Sequence, residues 1–323
     1  MSVKEQVLGL FDNCMGEYLS GEEIAAKLSV SRAAVWKAVK SLQEEGYHID
    51  AVTNKGYCLS PDTDRITAVG ICRYLGDLAS SFDFEVHKSV TSTNTLAKEQ
   101  AANGVCEGKV LIAEEQTKGR GRLGRSFFSP SGTGIYLSLV LKPSLRAADA
   151  ILLTTAAAVA VSEAIESVSG KSVQIKWVND LYMQDKKVCG ILTEASLDME
   201  SGGLEYVVLG IGINTFTPQN GFPDDLTTIA TSIYDKQRGD FRNRLIAAVL
   251  NRFWHIYQNP ENRSFVAEYK RRSLVIGKTV TVIRGDSPCR ACVLAIDDDC
   301  RLRVRYENGE EAVLSSGEIS LRL

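Results

Sequence analysis

The segment Glu115-Gln-Thr-Lys-Gly-Arg-Gly-Arg-Leu-Gly-Arg125 alternates glycine with arginine and runs on into Ser126-Phe-Phe-Ser-Pro130. Glycines let backbone amides approach an anion, and arginines supply forked donors for phosphate or carboxylate. The spacing Gly119-x-Gly121-x-x-Gly124 matches the dinucleotide fingerprint as letters only. That fingerprint must open a helix and lead to a ribose-binding acid about twenty residues on. Here the chain goes instead to Ser129-Pro130, Gly132, Gly134 and a strand. Gly104-Val-Cys-Glu-Gly-Lys-Val110 lacks one spacer residue of a P-loop and has Val110 where a metal-binding hydroxyl belongs. What remains is an anion-binding loop, costly in entropy to order and expected to close over a ligand. A loop that contacts RNA or DNA is the alternative.

Three more segments carry candidate chemistry. Lys176-Trp-Val-Asn-Asp180 precedes Lys187 and Gly190. Lys187 opens an apolar strand, where an ammonium is partly desolvated unless it meets an anion. Asn179 and Asp180 sit where a ribose or a metal could be held; an ordinary turn with a strand-end charge is the plainer reading. In Gly210-Ile-Gly-Ile-Asn214 the glycines admit close approach of a flat ligand to a strand. Thr91-Ser-Thr-Asn94 gathers hydroxyls and an amide at a helix start and, alone, reads as an N-cap.

The elements that must position these residues fall into three regions, placed at 1–60, 61–273 and 274–323. In the first, Ser20-Gly-Glu-Glu23 is a capping box opening a short helix. Ser31 caps a second helix expected over Arg32–Glu45 that stops at Gly46, and Tyr47–Val52 and Gly56–Leu59 form two strands. This is the pattern of a winged helix-turn-helix. The stretch from Gly21 to Lys40 would meet DNA, with Ser31, Arg32, Ala33, Trp36, Lys37 and Lys40 on the groove-facing helix and Lys55 at the wing tip. The segment holds six Lys+Arg against eight Asp+Glu. With so few cations a monomer would bind weakly and a dimer on two half-sites better. A helical protein-interaction module is the competing reading.

The second region alternates helices with strands that follow one another directly, so an α+β fold is expected, an antiparallel sheet with helices on one side. Strands are placed at Glu85–Ser89, Val110–Gln116, Ile135–Leu141, Val173–Trp177, Val188–Ala195 and Tyr206–Ile213. Helices are placed at Thr95–Asn103, Ala148–Val168 and Arg242–Gln258. The third region, with strands near Thr279–Arg284, Arg290–Ile296, Arg301–Tyr306 and Glu311–Leu314, reads as a small barrel.

The chain has 323 residues, 44% hydrophobic and 24% charged, with a net charge of −3. That is ordinary globular composition and excludes low-complexity and collagen-like chains. Asp149 and Glu163 interrupt the longest apolar stretch, which reads as a buried helix and gives no membrane span. No export signal is visible, so a cytoplasmic location is expected. The eight cysteines then read as free, mostly buried thiols. Cys289-x-x-Cys292 lacks a fourth ligand, so no structural zinc is expected.

In order along the chain, TSTN (91–94), EEQTKGRGRLGR (114–125), KWVNDLYMQDKKVCGI (176–191), GIGIN (210–214) and SGEISLR (316–322) resemble the biotin–protein ligases over essentially the whole chain. The winged helix in front makes it similar to the bifunctional ligase and biotin-operon repressor branch. The resemblance implies a central mixed-sheet domain of class II synthetase-like fold and a C-terminal SH3-like β-barrel. It implies that biotin and MgATP give biotinyl-5′-AMP, which acylates a lysine of a biotin carboxyl carrier protein. It implies too a homodimer when adenylate-bound that represses at operator DNA. Ser92, Thr93 and Gln116 would bind the biotin ureido ring with the Arg120 backbone, and Asn94 would shape that pocket. Gly210 and Gly212 would line the biotin tail. Arg120, Gly121 and Arg122 would form the loop over the ligand, with Arg122 and Arg125 on phosphates and Phe127 as an aromatic wall. Lys187 would bridge the biotin carboxylate and the α-phosphate. Asn179, Asp180 and Asn214 would serve the nucleotide or Mg²⁺, with Asp180 the candidate metal ligand, and Arg322 would reach the nucleotide or carrier from the barrel. The chain departs from the family's habit at Val178 (usually proline), Phe127 (often tryptophan) and Asp298-Asp-Cys300 (usually a glycine-containing turn). A lipoate-type ligase, a repressor without catalysis, and a ligase that no longer binds DNA are the competing readings.

Overall fold

A computed structural model describes residues 2–44, 46–61, 63–197, 203–284, 287–315 and 318–320. The chain divides into two compact units, Met1–Ala79 with Lys236–Ala247, and Ser80–Asp235 with Ala248–Leu323.

In the first unit, α1 (Val3–Asn13) and α2 (Gly21–Leu28) both start on capping boxes, Ser2 with Glu5 and Ser20 with Glu23. Glu23 donates its amide to Ser20 Oγ at 3.1 Å, and the Ser20 amide returns to Glu23 Oε2 at 2.8 Å. Ser31 Oγ accepts the Ala34 amide at 3.2 Å and caps α3 (Arg32–Glu44). Glu45, where that helix was expected to end, lies outside the described residues; Gly46 follows at φ +90°. Strands β1 (Ile49–Val52) and β2 (Gly56–Leu59) pair antiparallel, and Leu19 bridges Tyr57 beside them. Gly56 is forced by that crossing: its φ is +102°, and a Cβ would lie 2.2 Å from the Leu19 carbonyl oxygen. Val7, Phe11, Ile24, Val35, Val39, Leu42 and Leu59 close the core.

One helix escapes sequence reading, α4 (Ala68–Leu75). Its Gly70 looks like a helix breaker, yet a Cβ there would lie 2.7 Å from Asn243 Nδ2, so tertiary packing selects the glycine. Thr67 caps α4 and also donates to Asp12 Oδ2 at 3.1 Å. Asp12 is 3% exposed. Burial pushes its carboxyl up to about 6, although the Thr67 hydrogen bond and Arg73 act the other way.

In the second unit, β3 (Asp83–His87), α5 (Thr93–Ala102), β4 (Lys109–Ala113), β5 (Gly134–Leu141), α6 (Ala150–Ser169), β6 (Gln174–Lys176), β7 (Asp180–Met183), β8 (Lys186–Leu197) and β9 (Leu204–Asn214) follow in order. The strands form one sheet, β3-β4-β5-β9-β8-β7-β6. Among the described strands only β3 and β4 run parallel, so the sheet is mixed and mainly antiparallel, as expected. The cause of the parallel pair is α5, a helix between two neighbouring strands, which returns the chain in the same direction. β7 was not placed from the sequence, where Asn179-Asp180 had an ordinary turn as one reading; it is a strand that pairs with both β6 and β8.

Alternation sorts the two faces. Ala97 and Ala101 of α5 pack on Leu111, Val140 and Val208, while Thr154 of α6 meets Thr193 of β8 at 2.7 Å on the other side. Helices thus cover both faces and not one side as expected, because α5 and α6 pack on residues of opposite parity, and even-numbered β8 residues share the α5 face. Helix α6 is long and apolar enough to cross a membrane, but 67% of its window is buried in the protein. α7 (Phe241–Tyr257) and α8 (Ser264–Arg271), the latter also unread in the sequence, precede a second sheet. It comprises β10 (Thr279–Arg284), β11 (Ser287–Ile296), β12 (Leu302–Tyr306), β13 (Glu311–Leu314) and β14 (Glu318–Ser320), antiparallel in the order β13-β12-β11-β10-β14. All eight cysteines are free, but only Cys58, Cys189 and Cys300 are buried, fewer than expected.

Candidate active site

A cleft of about 970 Å³ opens on the α5 face of the large sheet. It brings together segments far apart in sequence: Ser92, Thr93 and Asn94 from the start of α5, Gln116, the glycine–arginine loop, and Asn179 and Asp180. Lys187 and Gly190 from β8 and Gly210 and Gly212 from β9 complete it. Four separate candidate segments are thus one site. Asn214 is not on its wall; at the end of β9 its Nδ2 donates to the Thr231 carbonyl at 3.0 Å. Arg322 lies outside the described residues.

One end of the cleft is a hydrogen-bonded polar pocket. Gln116 Oε1 accepts from the Thr93 amide at 2.9 Å and its hydroxyl at 3.1 Å, and Gln116 Nε2 donates to Ser129 Oγ at 3.0 Å. Ser138 Oγ reaches Thr93 Oγ1 at 2.8 Å and Asn94 Oδ1 at 2.6 Å. Ser92 stands apart. It occupies the N-cap position of α5 without capping it, its side chain makes no hydrogen bond, and it is 2% exposed. A buried hydroxyl with no partner costs about 1–3 kcal/mol, so its place on the cleft wall marks where a ligand acceptor or donor belongs.

The glycines of the cleft also make room for protein side chains. A Cβ on Gly210 would sit 2.0 Å from Asn94 Oδ1, and one on Gly212 2.7 Å from the Phe127 ring. Strand β9 thus receives protein side chains at close range at both glycines. Gly190 makes room for Lys187, whose Cε and Nζ lie 3.1 Å from its would-be Cβ.

The other end is charged. Lys187 Nζ lies 2.7 Å from Asp180 Oδ1, so the anion that the strand lysine needs is already supplied by β7. Arg122 Nη1 donates to Asn179 Oδ1 at 3.0 Å. The loop folds back on itself as a flap: Arg120 bridges Ser126, the Gly121 amide donates to the Arg125 carbonyl at 2.7 Å, and the Phe127 amide donates to Gly119 at 2.9 Å. Its tip, Leu123, is 76% exposed with φ +54°. Arg120 Nη1 lies 3.2 Å from Glu194 Oε1. Glu194 was missed in the sequence; the available signal was its even position on β8, in line with Gly190 and Leu192. Trp177 was quoted but given no role. Its Nε1 donates to the Cys300 carbonyl at 2.9 Å, which ties the cleft wall to the turn after β11 that departs from the family habit.

Among the described residues no group of three or more His, Cys, Asp or Glu could hold a metal ion. Asp180 is a single carboxylate facing a lysine, a donor set suited to a cation that arrives already carried by phosphates.

The groove-facing residues of the first unit are all on the surface. Ser31, Arg32, Ala33, Trp36, Lys37, Lys40 and Lys55 are exposed. Trp36 is 53% exposed, with Lys40 Nζ 5.3 Å above its ring, and Lys55 lies 5.7 Å over Tyr18. The Ser31 hydroxyl is partly committed to its cap.

Comparison with known proteins agrees with this geometry. Residues 86–214 match the biotin/lipoate A/B protein ligase family, residues 4–58 an HTH domain, and residues 275–322 the biotin protein ligase C terminal domain. The bifunctional ligase/repressor BirA of Bacillus spizizenii is 32% identical over 98% of both chains. That of Bacillus subtilis is 38% identical over 72% of this chain and 71% of its own length. Among solved structures, the biotin protein ligase of Aquifex aeolicus in complex with biotin and ATP superposes with a TM-score of 0.62 at 30% identity, covering 74% of this chain and 98% of that one. With a helix-turn-helix in front, a mixed sheet in the centre, an antiparallel sheet behind and a relative alike from end to end, the chain belongs to the bifunctional biotin ligase/repressor family.

Proposed function

We propose that this chain joins biotin to AMP, transfers the biotin to a lysine of a carrier protein, and represses biotin genes when the adenylate is bound. The observation that carries the reading is the buried Ser92 hydroxyl, unpartnered among the described residues, in a cleft whose far end holds Lys187, Arg122 and Arg125. A neutral polar head group fits the first end and a pair of anions fits the second.

Biotin's ureido ring goes to Ser92, Thr93 and Gln116, with the Arg120 backbone above it. Thr93 and Gln116 already bond each other, which fixes the Gln116 oxygen and leaves its amide hydrogens to choose between Ser129 and ligand. Asn94, seated over Gly210, supports the tail. ATP enters as its magnesium complex, with Arg122 and Arg125 on the phosphates, Phe127 as a wall, and Asn179 and Asp180 toward the nucleotide and its Mg²⁺.

One biotin carboxylate oxygen forms a bond to the α-phosphorus while the bond to the β-phosphate bridge breaks, and magnesium pyrophosphate leaves. Two anions must meet for this, and fixed cations lower that barrier more than water can. Lys187 moves its charge from Asp180 to the space between carboxylate and phosphate. In the second step a carrier lysine amine attacks the acyl carbon, AMP departs, and the amine proton goes to solvent or to AMP. The mixed anhydride is labile to water, so the flap also acts as a shield. The C-terminal sheet is read as an SH3-like barrel and the central domain as class II synthetase-like, with boundaries near 60 and 273. Adenylate-dependent homodimerisation would place two winged helices on two operator half-sites, linking ligand to DNA affinity. A cytoplasmic location fits both substrates.

Incubation with biotin and MgATP followed by mass analysis of the retained small molecule tests the first step. Biotinyl-5′-AMP is expected, and its absence together with no pyrophosphate release would end the reading. Lipoate in place of biotin distinguishes the related ligase. A gel shift on the chain's own upstream promoter, with and without adenylate, tests the repressor.

A further inference from the structure

Glu194 is not on the cleft wall, yet it holds two polar side chains that are, Asn94 and Arg120. Lys98 Nζ lies 2.8 Å from Oε1, Asn94 Nδ2 donates to Oε2 at 3.0 Å, and Arg120 Nη1 lies 3.2 Å from Oε1. Burial opposes its charge, but the hydrogen bonds from Lys98 and Asn94 and the charges of Lys98 and Arg120 hold the carboxyl below its usual range. Its side chain is 20% exposed.

From Glu194 the contacts run on without a gap. Asn94 passes to Ser138, Ser138 to Thr93, and Thr93 to Gln116. Gln116 passes to Ser129, whose hydroxyl donates to the Phe127 carbonyl at 2.9 Å. Phe127 returns to Gly119 on the first limb of the flap. The path leaves the flap at Arg120, crosses α5 and β5 under the polar pocket, and rejoins the flap at Phe127.

We propose that Glu194 is a positioning residue for adenylate retention: through Arg120 it latches the flap, and through Asn94 it sets the same pocket that receives the ligand's head group. This rests on the ligase reading above. The charge matters because Glu194 is the ionic partner of Arg120 among the described residues, and a neutral amide of the same shape would keep the hydrogen bond from Asn94 while giving up the ion pair. Arg120 is 44% exposed, so screening keeps the effect modest.

The test compares wild type, Glu194→Gln, Arg120→Ala and the double variant, each loaded with biotin and MgATP and then separated from free ligand. The rate of adenylate loss and the labelling of bystander lysines on an unrelated protein are both read. Glu194→Gln is expected to speed loss about three- to tenfold and to raise bystander labelling. Pyrophosphate release at saturating substrate should change less than adenylate loss does. The double variant should be no worse than Arg120→Ala alone, because both single changes open the same latch. Arg120→Ala reads that latch from the exposed flap, where folding is not at stake. Loss at the wild-type rate in Glu194→Gln, or strictly additive effects in the double, would overturn the proposal. If wild type itself retains no adenylate, the ligase reading fails instead, and the two failures are distinct.

Discussion

The winged helix and the cleft are stabilised by different kinds of hydrogen bond. In the first unit, the capping bonds at Ser2, Ser20 and Ser31 each join residues three apart. In the cleft, Asn94 meets Glu194 a hundred residues away, Ser138 meets Thr93 across 45, and Gln116 meets Thr93 across 23. A local bond is written into a short stretch of sequence and survives changes elsewhere. A bond between distant strands exists only when the whole sheet has closed, and it serves placement of a ligand more than stability of the segment that carries it. The two regions should therefore fail differently.

The largest effect is expected at the charged end. Lys187→Ala removes charge-assisted contacts worth about 1.5–3 kcal/mol each. Pyrophosphate release should fall roughly a hundredfold or more while the melting temperature changes little, and a wild-type rate would remove Lys187 from the chemistry. Next comes Gly210→Ala, whose Cβ needs the space of Asn94 Oδ1, 2.0 Å away. A cost of about 1–3 kcal/mol is expected from overpacking, with a raised biotin KM in titrations. Unchanged affinity would show that Asn94 is free to move and would weaken the contrast.

Asp12 tests the interior of the first unit. Its folded carboxyl, at about 6, lies above the unfolded value, so the group favours folding below the unfolded value and loses that contribution as pH rises through about 6. Asp12→Asn should be more stable than wild type by about 1–3 kcal/mol above pH 7, with the difference fading toward pH 4 in urea titrations. The smallest effect is expected at Ser20→Ala, about 1 kcal/mol by loss of one cap, seen as a small drop in melting temperature with adenylate synthesis intact. Lys37→Ala should lower operator affinity and reduce the salt slope by about one.

What could be read in the sequence follows the same division. The Ser20–Glu23 capping box, the Ser31 cap and the stop at Gly46 are local, and they appear where the residues put them. The glycine–arginine loop and Lys187 were legible because charge beside glycine, or at the head of an apolar strand, has few structural uses. Glu194 was not legible, because a carboxylate on a strand is commonplace until its three partners arrive from elsewhere. α4 was hidden by Gly70, whose reason is Asn243, and β7 by a turn-like Asn-Asp pair that is in fact a strand start. The close approach of Asn94 to Gly210 and of Phe127 to Gly212 was hidden for the same cause: the residues that fill the space above them lie on other segments.

The idle hydroxyl at the head of α5 implies a trade between sturdiness and purpose. A serine placed where helices ordinarily use it, but turned away from that use, leaves the unliganded protein less stable than its own sequence allows. Replacing Ser92 with alanine should therefore give a protein that melts later and holds its vitamin more weakly, the mark of a position kept for what it does and not for what it supports.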